Sequence, residues 1–270
     1  MSQHRIDTGT PQITCEIEQR VATVTLNRPE ARNALTMEMK RALADTLPLL
    51  NEEDAVGCVL LTGAGGAFCA GGDTKNMQKE GAPPSPEARK RQLRWEHSIS
   101  ARLNQLGKPT VAALPGPAAG AGFALALACD IRLAAHSAFF TTAYARLGLS
   151  GDYGSSYFLT QLVGTAKARE LMFTADRIEA AEAERLGLVN RAVPDAELAS
   201  EAFELAARIA AGPPIALRWM KDNLNRALVH DLQSVLDIEA DRMVDGAATE
   251  DYIEAINAFR EKRPPDFRGR

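Results

Sequence analysis

Little in these 270 residues points to a membrane, a nucleic acid or a metal. No apolar run approaches the roughly 18 residues that a membrane-spanning helix needs. A net charge of −4 leaves no cationic excess for a phosphate backbone or an anionic bilayer. The cysteines Cys15, Cys58, Cys69 and Cys129 are scattered without Cys-x-x-Cys spacing, mostly among apolar neighbours. That predicts buried free thiols in a reducing cytoplasm rather than disulfides or a zinc site. Residues 1–10 lack both the apolar core of a signal peptide and an Arg/Ser-rich transit pattern. What the chain does have is apolar mass: at 46% hydrophobic it can fill one large domain, or one domain plus an extension.

Patterning divides that mass into elements. Ile13 to Glu18 and Val21 to Leu26 alternate apolar with polar residues around Gln19-Arg20 and read as a β-hairpin. Met39, Leu43, Leu47 and Leu50 recur at helical spacing between Thr36 and Leu50, with a possible bend at Pro48. Cys58 to Leu61 and Thr110 to Leu114 are short buried strands. Lys75 to Ser85 is polar and rich in Pro and Gly, the expected mobile segment. Ser85-Pro86-Glu87 opens a helix with Trp95, Ile99, Leu103 and Leu106 on one face. His97 lies beside that stripe, where a lone histidine fits a solvated or core-edge position.

Two stretches concentrate glycine after a buried strand. Thr62 to Asp73 contains Gly63, Gly65, Gly66, Gly71 and Gly72; no Gly-Lys-Ser/Thr closes it and the Rossmann spacing is absent. Taken alone it fits a surface turn as well as a ligand loop. Gly116 to Asp130 runs from small residues (Gly116, Ala118, Ala119, Gly120, Ala121, Gly122) into an Ala/Leu helix. The first N–H groups of a helix have no intrahelical partner and carry its positive dipole end, so this turn can hold an anion or a polarised oxygen.

The wording of these stretches resembles the enoyl-CoA hydratase/isomerase, or crotonase, superfamily over almost the whole chain. The carrying motifs are Leu26 to Leu35, Ala67 to Asp73, Lys108-Pro109 with Gly116 to Gly122, Ala128-Cys129-Asp130, and Thr174 to Ile178 with Ala180 to Val193. The resemblance implies an α/β fold, a spiral of repeated ββα units over residues 1–195, followed by an all-helical trimerisation subdomain over 196–270. It implies a site for an acyl-CoA thioester, with the N–H groups of Gly72 and Ala121 as the oxyanion hole. Ala31, Arg32 and Ala70 would line the CoA groove; Gly120, Tyr144 and His97 would lie along the acyl part. Phe259 and Lys262 stand near the end of the last helix, which in the family helps hold CoA, although Lys262 equally suits a helix C-terminus. No cofactor is implied beyond the CoA of the substrate, and the partner expected is a second and third copy, as a homotrimer or homohexamer, with neither nucleic acid nor membrane.

Against the hydratases of that family the chain departs at two places. One catalytic glutamate is replaced by Ala124 and the other by Tyr144. Water addition needs one group to activate water and another to protonate the α-carbon, so the resemblance favours another use of the thioester enolate. Asp152, flanked by Gly151 and Gly154, fits a turn or helix-cap residue by its neighbours alone. By resemblance it matches the aspartate that works on substrate carbon in double-bond isomerases, which makes enoyl-CoA isomerisation the leading expectation. Three alternatives remain: hydration with Asp152 as sole carboxylate, an aroyl-CoA dehalogenase or hydrolase with Asp152 as nucleophile and His97 activating water, and a non-catalytic RNA-binding or scaffold member.

Beyond Asp152 the pattern gives helices at Tyr157 to Val163, Ala166 to Phe173 and Ala180 to Leu186, then a strand at Leu188 to Val193. Asp195 reads as the cap of a helix from Ala196 to Ala211. Pro213-Pro214 opens another to Leu228, and Leu232 to Met243 and Asp251 to Glu261 complete a tail without strands.

Overall fold

The hairpin forms where the alternation places it. Strands β2 (Ile13–Glu18) and β3 (Val21–Leu26) pair antiparallel, and Gln19 and Arg20 turn the chain with φ of 48° and 63°. Two successive left-handed residues match the twist of a two-residue hairpin. The computed structural model describes residues 4–73 and 85–270; of the segment expected to be mobile, residues 75–84 lie outside the described residues.

The hairpin and β1 (His4–Ile6) form the antiparallel edge of a seven-stranded sheet ordered β1-β2-β3-β4-β5-β7-β10. From β3 onward the pairing is parallel, through β4 (Cys58–Gly63), β5 (Thr110–Leu114), β7 (Ile131–Ala135) and β10 (Arg191–Val193). A parallel sheet needs cover on both faces, and all five residues of β5 are buried. A smaller sheet pairs β6 (Ala118–Ala119), β8 (Phe139–Thr141) and β9 (Ile178–Glu179). Two strands followed by a helix recur: β2-β3 before the helix Met37–Glu52, β5-β6 before Ala121–Ala128 and β7-β8 before Ser155–Thr174. In the last two the first strand joins the large sheet and the second joins the small one.

Helix α1 (Met37–Glu52) begins where Thr36 Oγ1 accepts from Met39 N at 3.1 Å, and it carries Pro48 within its later turns. Helix α2 (Pro86–Gln105) begins with Ser85 Oγ accepting from Ala88 N at 3.2 Å. Its buried face is Glu96, Ile99, Ser100 and Leu103, with Trp95 only half-buried. All eight residues of α3 (Ala121–Ala128) are buried.

The two helices expected between Tyr157 and Phe173 are present as the two arms of α4 (Ser155–Thr174), which Gly164 separates with the non-helical angles φ 74° and ψ 167°. After α5 (Ala180–Arg185), the strand expected from Leu188 shrinks to Arg191–Val193, because the amides of Leu188 and Val189 both turn back to Ala183 O. Asp195 caps no helix. Its Oδ1 accepts from Ser137 N at 3.0 Å, and α6 (Leu198–Ala210) starts after Glu197 without a side-chain cap.

Helix α6 lies on the sheet. Ala202, Ala206 and Ala210 are buried, and a Cβ on Gly57 would meet Ala210 O at 2.5 Å. Helices α7 (Pro214–Ala227), α8 (Leu232–Ala247) and α9 (Glu250–Glu261) follow, and they leave apolar side chains in solvent, among them Leu224, Met243 and Val244. The four cysteines are free and buried. No helix among the described residues is long and apolar enough to cross a membrane.

Candidate functional site

The two glycine-rich stretches run side by side. Cys69 and Ala118 form a parallel bridge, with Ala119 N donating to Cys69 O at 2.9 Å and Cys69 N to Pro117 O at 3.2 Å. Three residues further along each strand come Gly72 and Ala121. Leu35 bridges Gly72, its N–H donating to Gly71 O at 2.8 Å and its carbonyl accepting from Asp73 N at 3.3 Å. Neighbouring peptide groups along an extended strand point to opposite sides, so the N–H of Gly72 faces away from Leu35. Ala121 is the first residue of α3, whose initial amides have no intrahelical acceptor. Among the described residues neither Gly72 N nor Ala121 N makes a hydrogen bond.

Only glycine permits this approach. A Cβ on Gly71 would stand 2.9 Å from Ala119 O and 3.7 Å from Ala121 N. Gly120 precedes the helix with φ 51° and ψ −125°, backbone angles open in practice to glycine alone. A Cβ on Gly122 would run into Cys69, 2.4 Å from its carbonyl oxygen.

The loop from Arg28 to Leu35 braces Gly72 from the other side. Asn33, fully buried and at φ 57°, accepts from Arg28 N and donates to Ala64 O and Ala67 O at 2.9 and 2.8 Å. Arg28 Nη1 pairs with Asp73 Oδ2 at 3.1 Å and donates to Ala34 O. Cys69 Sγ donates to Asn33 O, and burial pushes its thiol up to about 12, so this sulfur serves as a small packed hydrophobe. Ala70 N donates to Arg32 O at 2.9 Å, which brings together the proposed groove residues Arg32 and Ala70, both exposed, beside half-buried Ala31.

The side chains arrive from another quarter. Tyr144 opens a single helical turn, Tyr144–Leu147, after Ala143 in the left-handed region. It is 5% exposed, and its ring comes within 3.8 Å of where a Cβ on Gly120 would sit. Its hydroxyl donates to Asp152 Oδ1 at 2.6 Å. Burial, then the charge of Asp152, raises the Tyr144 ionisation far above that of a free phenol. The role of Asp152 as a helix cap is not realised: α4 starts from Gly154 with no side-chain cap, and Ser155 N takes the backbone carbonyl of Asp152 at 3.0 Å. The carboxylate is thus turned to Tyr144.

Asp152 stands between Gly151 at φ 108° and Tyr153 at φ 51°. Tyr153 is fully buried, and a bulky residue held in that region marks a strained turn. The His97 ring packs on Tyr153 with centroids 5.5 Å apart, and His97 Nε2 is buried without a hydrogen-bond partner among the described residues. Phe259 is 86% exposed and Lys262 is exposed past the end of α9; no described contact joins either to these loops. No group of three or more His, Cys, Asp or Glu among the described residues could hold a metal ion.

Sequence reasoning passed over a buried ion pair. Lys40 Nζ meets Glu96 Oε2 at 2.7 Å, and Gln92 and Arg89 donate to Glu96 Oε1. The charge of Glu96, after burial, helps push up the ionisation of Tyr153. A signal was available: Lys40 shares the helical stripe of Leu43 and Leu47, and Glu96 that of Ile99 and Leu103. A charge on each of two apolar stripes invites pairing.

The family model for enoyl-CoA hydratase/isomerase matches residues 16–270. The 1,2-epoxyphenylacetyl-CoA isomerase of Escherichia coli strain K12 is 37% identical over 258 residues, 96% of this chain and 98% of that protein. The short-chain-enoyl-CoA hydratase of Clostridium acetobutylicum is 37% identical over 249 residues, 92% and 94% of the two chains. An enoyl-CoA hydratase structure from Polaromonas sp. JS666 matches with a TM-score of 0.89 at 36% identity, over 95% of this chain and 99% of that one. An enoyl-CoA hydratase structure from Bacillus anthracis gives 0.88 at 33% identity over both full chains.

Proposed function

Given that the chain belongs to the enoyl-CoA hydratase/isomerase family and has its crotonase-like fold, we propose that it shifts a double bond in an enoyl-CoA thioester, using Asp152 as acid and base. The observation that carries this reading is the Tyr144–Asp152 contact beside the Gly120–Ala121 turn. It ties the Asp152 carboxylate to a ring that packs on the Gly120 turn, while the two positions where the resemblance expects hydratase carboxylates hold Ala124, wholly buried in α3, and Tyr144.

The chemistry balances with those groups. Asp152 takes a proton from the α-carbon of a 3-enoyl thioester, and the C–H electrons pass into a dienolate. The amides of Gly72 and Ala121 stabilise the negative oxygen, a contribution of about 3 to 4 kcal/mol per donor in comparable sites. Asp152 returns the proton to the γ-carbon and is restored as carboxylate. Proton and electrons stay within one substrate, so the step needs no metal or redox cofactor. Ala31, Arg32 and Ala70 would border the CoA, and Phe259 and Lys262 would reach it from the end of α9. Exposed apolar side chains on α7 to α9, with Leu224, Met243 and Val244 each more than two-thirds exposed, support assembly as a trimer or hexamer. Light scattering at the mass of one chain would sink that part.

A second reading, hydration by Asp152 alone, is favoured by the relatives that carry a hydratase name. The test is incubation with 2-enoyl-, 3-enoyl-, dienoyl- and aroyl-CoA thioesters in deuterated water. Deuterium at the α- or γ-carbon with a moved double bond is expected, and a 3-hydroxyacyl product would select hydration instead. Asp152→Asn should lower turnover by about 10²- to 10⁴-fold, the range of a general acid–base group, with thioester binding retained; near-normal activity in that variant defeats the assignment.

A further inference from the structure

Tyr144 touches both halves of the site. Its ring edge stands 3.8 Å from where a Cβ on Gly120 would be, next to the amide of Ala121, and its hydroxyl holds Asp152 Oδ1 at 2.6 Å. The ring is buried on a one-turn helix, so it has few ways to move. A carboxylate by contrast turns about two side-chain bonds, and either oxygen could face a substrate. A short hydrogen bond to an ionised acceptor is among the stronger ones available.

We propose that Tyr144 is the positioning residue of proton transfer: it fixes Asp152 through Oδ1 and reserves Oδ2 for the substrate carbons. This rests on the reading of Asp152 as acid and base. Oδ2 accepts the α-proton as the C–H electrons enter the dienolate. The same Oδ2 then gives that proton to the γ-carbon, whose new C–H bond takes an electron pair from the dienolate. Tyr144 keeps its own proton throughout, since burial and the neighbouring charge oppose its ionisation. One anchored oxygen handling one proton favours its return before solvent can exchange it. A phenol that keeps its proton cannot be the base that activates water, which separates proton shuttling from hydration at the same spot.

The experiment compares the wild-type protein, Tyr144→Phe and Asp152→Asn on a 3-enoyl-CoA thioester in deuterated water, reading kcat, KM and deuterium at the γ-carbon. Tyr144→Phe keeps the ring against Gly120 and removes only the hydroxyl. Its kcat should fall about 10- to 100-fold, the scale of an ångström-sized misplacement, with KM within about threefold. Deuterium per turnover should rise from a fraction toward one, because a carboxylate free to turn exchanges its proton. A Tyr144→Phe enzyme with wild-type kcat and deuterium content overturns the inference, as does a raised KM at unchanged kcat, which would make Tyr144 a binding group. No isomerisation or exchange by the wild type, or full activity in Asp152→Asn, removes the acid–base reading and this inference with it.

Discussion

The two halves of the site are made of different material. The Gly72–Ala121 half presents backbone, held by bridges between three loops and by the hydrogen bonds of Asn33, Arg28 and Cys69. The Tyr144–Asp152 half presents side chains on turns that include left-handed residues Ala143, Gly151, Tyr153 and Gly154. A peptide N–H is the same whatever residue bears it, so the first half tolerates no bulk and, in the proposed reaction, only stabilises an oxyanion. In the proposed reaction the second half decides where a proton goes. Relatives with similar identity to this chain carry both isomerase and hydratase names.

Within the backbone half the larger expected break is the loss of a donor. Ala121→Pro deletes one donor at a helix position where proline's fixed φ is tolerated. Steady-state assays should show kcat down about 10²- to 10³-fold, as for loss of one oxyanion donor, with the helix retained by circular dichroism. A fall of less than tenfold would mean that Ala121 N is not an oxyanion donor. Gly120→Ala sharpens the point, because the added methyl meets nothing closer than 3.7 Å and the cost is conformational alone. Strain of about 1 to 3 kcal/mol should appear as a lower denaturant midpoint and weaker catalysis, whereas an unchanged midpoint would show that the turn relaxes freely.

The smallest effect per step is alkaline. Cys15, with an ordinary value of 9.0, is raised by burial to about 11, and Cys58, Cys69 and Cys129 to about 12; Tyr144 and Tyr153 are also raised. Folded thiols and phenols keep protons that the unfolded chain releases, so their contribution is complete below about pH 9 and is lost as pH climbs toward 12. Each such group costs about 1.4 kcal/mol per pH unit between its two values. Urea midpoints should therefore hold level from pH 7 to 8.5 and decline above pH 9. Cys69→Ala should shallow that decline and leave the carboxylate half untouched, and a midpoint independent of pH to 11 would contradict the burial of these groups.

Much of the fold was legible because its signals are local. Alternation marked β2 and β3, helical spacing marked α1 and α2, and Ser85-Pro86 marked the start of α2. The strands of the small sheet were not legible. Two or three residues at Ala118, Phe139 and Ile178 carry no period, and only their pairing makes them strands. The start of β10 at Leu188 and the capping role of Asp195 failed for a related reason, since an acceptor at Ala183 and a distant donor at Ser137 claimed those groups.

By itself the sequence determined that two small-residue turns follow buried strands, that Ala124 and Tyr144 supply no carboxylate where the resemblance expects one, and that Asp152 sits among glycines. Residue type carries those facts, because bulk and charge travel with the side chain. Tertiary structure alone decided that the two small-residue stretches run side by side through the Cys69–Ala118 bridge, that Lys40 neutralises Glu96 in the core, and that Asp152 turns to Tyr144 instead of capping α4. Hydrogen bonds and ion pairs between residues far apart in sequence set those outcomes, and their geometry exists only once the chain has closed on itself.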